Sequence, residues 1–392
     1  MNIRLNKSLK RTGKIIISLL LILTGSVFTI NTVFSAAKYD QGDNPLKKIQ
    51  ASPQYKDGKF TNPKVLEMNP GFGMIKKYLF GKEQRSPEEI LPQNKIDLTL
   101  LESADSSYLK VTNAGHSSLL IHMDGYRILT DPVYEAKLTP VGPTRFNKDI
   151  PIDPTELKNI DVVVISHNHY DHLNKYSIKT IHPEVARFIV PLGVGAQLEK
   201  WGVPREKITE LDWWDSFDYD EKLTITSTPS QHFSGRGLAD RNETLWTSYV
   251  IASLDHNIYF SGDSGYFDGF KTIGEKYGPF DIAFMECGAY NKEWADVHMF
   301  PEQTVQASLD LKAHYVWPIH WGTFNLALHD WFDPMKRVTI AAEANGVRLL
   351  TPIFGQVVEY PGRMQTKKWW APYLPERPTV MDVEPNAQID TP

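Results

Sequence analysis

Three histidines and an aspartate fall within six positions of this 392-residue chain: His167, His169, Asp171 and His172, in the order His-x-His-x-Asp-His. Imidazole nitrogen and carboxylate oxygen are ligands that zinc and similar borderline cations take. Residues two apart in an extended segment point the same way, so His167 and His169 can grip one ion together. Asp171 and His172 follow where the chain should turn and can face a second ion. A catalytic zinc usually takes about three protein ligands and keeps one position open for water, so this cluster cannot close two sites alone. Three later residues complete the sets. His232 ends TSTPSQH, Asp263 sits in YFSGDSG, and His320 ends HYVWPIH. The expected first set is His167, His169 and His232. The second is Asp171, His172 and His320, with Asp263 bridging. Two such cations can share one hydroxide and clamp a displacement. Two zinc ions are the expected cofactors, and iron or manganese fit the same donors.

The elements that must position these residues are legible in the hydrophobic pattern. DVVVISHNH reads as an apolar strand running into the cluster, and KYSIKTIHPEV as a helix after it. RFIVPLGV is a buried strand and QLEKWGV a helix stopped by Gly202. In the second half KLTITSTPSQHF, TSYVIASLDHNIYFSGDSG, PFDIAFMECGAY and HYVWPIHWGTF each run from a strand into a polar loop, and PEQTVQASLDLK is a helix. Candidate ligands thus fall at strand ends, the layout of helices covering sheets with a site built from loops.

With these residues in place, the chain resembles the metallo-β-lactamase superfamily, and within it the N-acylphosphatidylethanolamine-hydrolysing phospholipases D. The matching pieces run from about Gly115 to Phe324: GHSSLLI, LTDPVY, GPTRF, SHNHYDHL, VPLGV, ELDWWD, TPSQH, SGDSGY, IGEKYGPFD, GAY and IHWGTF. ELDWWD and IHWGTF are the long strings that separate this branch from ordinary superfamily members. The resemblance implies an α/β fold, a four-layer αββα sandwich of two mixed β-sheets flanked by helices. It implies a binuclear hydrolase acting on a phosphodiester of N-acylphosphatidylethanolamine-like lipids, with Asp171, Asp263 and His298 serving the chemistry. His298, in DVHMFPEQ, matches a histidine beside the substrate in that family and is expected to supply a proton to the leaving alcohol. The metal ligands alone do not choose phosphorus over a carbonyl carbon, so a lactonase-type hydrolase is the alternative. A metal-stabilised surface protein without activity is a third reading, though structural zinc sites are normally closed.

Around this site the expectations are coarser. Trp213, Trp214, Tyr290 and Trp294 are candidates for an acyl-chain groove or for plain packing. Arg236, in FSGRGL, either faces a phosphate or lies in solvent, and His116 either supports the site or caps the core. His122, His182, His256, His314 and His329 read as structural. Cys287 is the only cysteine, so no intramolecular disulfide forms, and its apolar neighbours make it a core residue. The formal charge of −5 argues against a nucleic-acid partner.

Four segments divide the chain. Residues 1–37 carry Arg4, Lys7, Lys10, Arg11 and Lys14, an apolar run and small residues, the layout of an export signal cut after Ala37 or of a membrane anchor. The body is therefore expected outside the cytoplasm, secreted, periplasmic or anchored, close to a membrane and its phospholipid substrate. Residues 38–107 read as an irregular extension, 108–360 as the hydrolase domain, and 361–392 as a packing strap and tail.

Overall fold

The run Val162–Ile165 is apolar throughout because both its faces are covered. Val162 and Val164 enter a core between two β-sheets, whereas Val163 and Ile165 enter a second core beneath helices. A strand buried on both sides reads as continuous apolar sequence. The computed structural model describes residues 35–39, 44–66, 77, 80–101, 108–140 and 142–374.

Ahead of the sheets lie helix α1 (Asn44–Ala51), a short hairpin of β1 (Tyr55–Lys56) and β2 (Lys59–Phe60), and the single turn α2 (Leu98–Leu101). The first sheet collects β3 (Leu109–Asn113), β4 (Leu119–Met123), β5 (Tyr126–Thr130), β6 (Ile160–Val164), β7 (Val185–Pro191) and β8 (Ile208–Leu211). The second collects β9 (Ser216–Asp218), β10 (Thr224–Thr228), β11 (Ser248–Ala252), β12 (Asn257–Phe260), β13 (Phe280–Glu286) and β14 (Ala313–Ile319). The last strand, β15 (Val358–Tyr360), returns to the first sheet beside β3, making seven strands in the order β15-β3-β4-β5-β6-β7-β8. The second sheet has six, β14-β13-β12-β11-β10-β9. Both are mixed, with β5 to β8 and β12 to β14 parallel and the rest antiparallel.

Helices α3 (Lys175–Ile181) and α4 (Gly195–Lys200) cover the first sheet with Ile178, Ile181 and Leu198. Helices α5 (Gly269–Tyr277) and α6 (Pro301–Asp310) cover the second with Phe270, Ile273 and Ala307. Helix α7 (Asp333–Asn345) packs Met335, Val338 and Ala342 against Val305 of α6. The result is the expected four-layer αββα sandwich. Helices α1, α5 and α7 are additions to the sequence reading, α1 within the extension expected to be irregular.

Strand direction puts the site at one edge. β3, β5, β6 and β7 run the same way in the first sheet, and β10, β12, β13 and β14 do so in the second. The loops that leave their C-terminal ends hold His116, Asp131, His167 to His172, His232, Asp263 and His320.

The extension packs on the body through Ile49 and Phe60, which join Trp213 and Trp246 in one cluster. Trp369 and Trp370 are buried beside α7. The expectation of an anchored protein is corrected here: among the described residues no helix is long and apolar enough to cross a membrane. Residues 1–34 of the leader lie outside the described residues, as does the tail from 375. The described end of the leader lies on the body: Ala36 N–H donates to Asp240 Oδ2 (2.6 Å) and Ala37 N–H to Gln197 Oε1 (2.8 Å). A cut after Ala37 would remove both bonds.

Candidate metal centre

After β6 the chain leaves the sheet at Ser166 and closes a tight turn, His172 N–H and Leu173 N–H both donating to His169 O. Asn174 ends the turn, its side chain accepting Ser177 N–H to cap α3. This turn aims the histidines back over the sheet edge. A second loop, from β12, crosses it closely. Gly262 has φ 56°, and a Cβ there would stand 2.5 Å from Ser166 Cβ. Only glycine permits that approach, and it delivers the next residue, Asp263, to His167.

Three ring nitrogens of the first expected set converge. His167 Nε2 is 2.8 Å from His169 Nδ1, and His232 Nε2 is 3.3 Å from the same atom. Ligands about 2.0–2.1 Å from a tetrahedral zinc stand roughly 3.3 Å apart. Outer partners select which nitrogen faces inward. His232 Nδ1–H donates to Val297 O (2.9 Å). His167 Nδ1–H donates to Ser166 Oγ (2.9 Å), which itself donates to Asp131 (2.6 Å). Both Nε2 atoms therefore turn bare lone pairs toward His169 Nδ1, an arrangement that a cation relieves.

The second expected set assembles alongside. Asp171 Oδ2 is 3.5 Å from His172 Nε2 and 3.4 Å from His320 Nε2, and it accepts His116 Nε2–H at 3.0 Å. His320 adopts φ 65°, which swings its ring out of the line of β14. Gly288 makes room beside it, since a Cβ there would stand 2.1 Å from His320 O. Asp263 lies between the sets, Oδ2 at 3.2 Å from His320 and 3.6 Å from His232, Oδ1 at 3.2 Å from His172. His172 Nε2, His320 Nε2 and Asp263 Oδ1 are buried yet misaligned for hydrogen bonding. Unpaired buried polar atoms are costly, so the donor set fits two divalent cations sharing Asp263. These clusters could hold metal ions.

Electrostatics agree with that fit. Burial pushes His167 and His232 well below the ordinary imidazole range and His169 to about 4, so all three are neutral donors. At His320 burial opposes protonation, yet Asp263 and Asp171 outweigh it and raise the ring to about 10. Burial also opposes ionisation of Asp171, but the neighbouring His172, the hydrogen bond from His116 and the nearby His320 ring keep it low. The carboxylates draw positive charge to this point.

His298 stands at the rim. Its ring centroid is 5.0 Å from that of His232 and 5.5 Å from that of His320, and its side chain keeps 13% exposure. His116 is buried against Asp171, the supporting side of the two readings above, with burial and then His320 lowering it to about 3.

Several expectations change. Arg236 neither faces the site nor lies in solvent. It is half-buried, stacks on Tyr170 at 3.8 Å, and donates to Asn168 O (2.7 Å) and Leu173 O (2.9 Å), bracing the histidine turn. Trp213 is core, its Nε1–H donating to Trp246 O, and Tyr290 is buried with Oη 2.5 Å from Asp333. Trp214 stacks on Tyr277, and Trp294 Nε1–H donates to Ala289 O. A small pocket opens beside His320, lined by Phe146, Trp321, Phe324, Leu326, His329 and Trp331 among others, and by none of these four. Cys287 is fully buried, as expected.

Three residues escaped the sequence reading. Asp131 accepts His172 Nδ1–H (2.7 Å) and both Ser166 donors. Glu286 meets His298 Nδ1 at 2.5 Å. Asn62, from the extension, accepts His232 N–H (2.9 Å) and donates to His232 O (2.7 Å). A carboxylate ending an apolar run was the available signal for Asp131 and Glu286. Asn62 had none.

Comparison with known proteins agrees with this geometry. Residues 126–321 match the family described as beta-lactamase superfamily domain. An uncharacterised protein of Mycobacterium tuberculosis is 41% identical over 333 residues, 82% of this chain and 88% of the relative. N-acyl-phosphatidylethanolamine-hydrolyzing phospholipase D 1 of Caenorhabditis elegans is 33% identical over 76% of this chain and 92% of its own length. The solved isothiocyanate hydrolase from Delia radicum gut bacteria superposes with a TM-score of 0.52 at 19% identity, over 64% of this chain and 98% of that one, a likeness of fold alone. The sandwich, the two donor sets at its edge and these matches lead to one conclusion: the chain belongs to the metallo-β-lactamase superfamily and is a metal-dependent hydrolase.

Proposed function

We propose that this protein is a phosphodiesterase of the phospholipase D type that hydrolyses N-acylphosphatidylethanolamine-like lipids. The observation that carries the reading is the position of Asp263, within 3.2–3.8 Å of imidazole nitrogens from both donor sets. The substrate class is supported by the similarity to the nematode phospholipase across most of both chains.

His167, His169 and His232 would hold one cation and Asp171, His172 and His320 the other, with Asp263 between. Bound cations would supply an activated water and neutralise charge growing on the phosphoryl oxygens. The chain's own residues do the rest. Asp131, Ser166 and Val297 fix which nitrogen His172, His167 and His232 present. Asp171 and Asp263 keep the centre anionic enough to retain two divalent ions. His298, at the exposed rim, meets the leaving alcohol oxygen and protonates it as the phosphorus–oxygen bond breaks.

The test is a panel of N-acylphosphatidylethanolamine, a simple phosphodiester and several lactones, each with the full-length protein and with or without chelator. We expect release of phosphatidate and N-acylethanolamine, abolished by chelator and restored by zinc, manganese or iron. Lactone turnover with no phosphodiester cleavage would overturn the proposal.

A further inference from the structure

We propose that Glu286 is a positioning residue that orients His298 toward the leaving group. The metal ligands do not account for it. Along β13, Ile282 and Phe284 point between the sheets while Ala283 and Met285 point to the helices. Glu286 continues the first series at the strand's end and places a carboxylate, 0% exposed, directly beneath the site edge. Burying a carboxylate is costly unless strong hydrogen bonds compensate.

The structure supplies them. Glu286 Oε2 accepts Ser264 N–H (2.7 Å), next to Asp263 in sequence, and Oε1 accepts His298 Nδ1–H at 2.5 Å. The backbone is tied as well. Glu286 N–H donates to Ser261 Oγ (2.9 Å), and Thr304 Oγ1–H donates to Glu286 O (2.8 Å). The carboxylate is therefore a fixed point, and one loop carrying Asp263 and another carrying His298 both anchor to it. With Nδ1 taken, Nε2 is the nitrogen of His298 that can meet a substrate.

The consequence is specific to one half of the reaction. Water's oxygen bonds to phosphorus as the bond from phosphorus to the alcohol oxygen breaks. That oxygen takes a proton from Nε2 of the His298 imidazolium, whose Nδ1–H stays on Glu286, and the proton lost by the water restores the imidazolium. A leaving group that is stable as an anion needs no such donor. This inference rests on the phosphodiesterase reading above, and the same experiments separate the two.

The full-length protein, Glu286→Gln, His298→Ala and the double variant are assayed on N-acylphosphatidylethanolamine and on bis(p-nitrophenyl) phosphate, with bound metal measured for each. A glutamine offers one acceptor where the site uses two. Each single substitution should lower kcat on the lipid by about 10²-fold, the lower end of what positioned acid–base groups contribute. The double variant should be no slower than His298→Ala alone, because the two act as a unit. Nitrophenyl turnover, KM and metal content should stay within about twofold. Glu286→Asp, which keeps two carboxyl oxygens for the two partners, should recover part of the loss. Additive losses, a parallel fall on the nitrophenyl ester, loss of metal, or an unchanged lipid rate in Glu286→Gln would each overturn the role. Should the wild type cleave neither diester, the phosphodiesterase reading fails, and ¹⁵N-histidine spectra still decide the hydrogen bond. A His298 Nδ1–H resonance that persists unshifted in Glu286→Gln then overturns it too.

Discussion

Gly262 and Ser166, from loops that leave different sheets, approach so closely that a single methyl group on Gly262 would fall 2.5 Å from Ser166 Cβ. This crossing places Asp263 beside His167, with Oδ2 3.8 Å from Nε2. Gly262→Ala should therefore separate the two donor sets. Ala at positive φ costs roughly 1–2 kcal/mol, and overpacking adds about 1–3 kcal/mol. A stability loss of roughly 2–5 kcal/mol, read by chemical denaturation, should accompany loss of bound metal; a variant with wild-type stability and metal content would show that the loops do not need this contact.

Asp263→Asn removes charge from between the sets while keeping shape. The protein should stay folded by circular dichroism and bind fewer metal ions. Its activity should fall by more than the roughly 10- to 100-fold loss typical of outer partners. Wild-type rates would refute the bridging position.

Asn62 holds both backbone groups of His232 from 170 residues away. Asn62→Ala strands a buried N–H and C=O, each costing about 1–3 kcal/mol. We expect a loss of roughly 2–6 kcal/mol and weaker metal retention in competition with a chelator. Unchanged metal affinity would limit Asn62 to a structural role.

Metal removal should lower thermal stability. A ligand at about 100 times its Kd contributes about 2.7 kcal/mol, which for a domain of this size is a shift of a few degrees up to about 10 °C. Differential scanning calorimetry before and after chelation, and after zinc is returned, reads this directly. A melting temperature insensitive to chelator would show that the donor sets hold no ion.

Much of the layout was legible because it is local. The unbroken apolar run Val162–Ile165 marks a strand buried on both faces, and the two-residue spacing of His167 and His169 puts them on one side of an extended segment. Apolar runs ending in His232, Asp263 and His320 showed strand ends. Helix α7 was missed although Met335, Val338 and Ala342 recur at helical spacing. Arg236 shows the limit of local reading. Its glycine-rich surroundings suggest a solvated loop, yet it turns inward to donate to Asn168 O and Leu173 O and to stack on Tyr170.

The sequence by itself determined the donor types, the pairing of His167 with His169 and the class of fold, since these follow from residue chemistry and from the periods of strand and helix. The tertiary structure alone decided that β10, β12, β13 and β14 all end at the edge where β6 ends, so that residues up to 153 positions from His167 come within ligand reach of one another. It also decided the partners that these histidines meet: Asp131 on His172, Asn62 on His232 and Glu286 on His298. Hydrogen bonds between residues distant in sequence depend on how whole layers pack, and no local pattern in the chain encodes that.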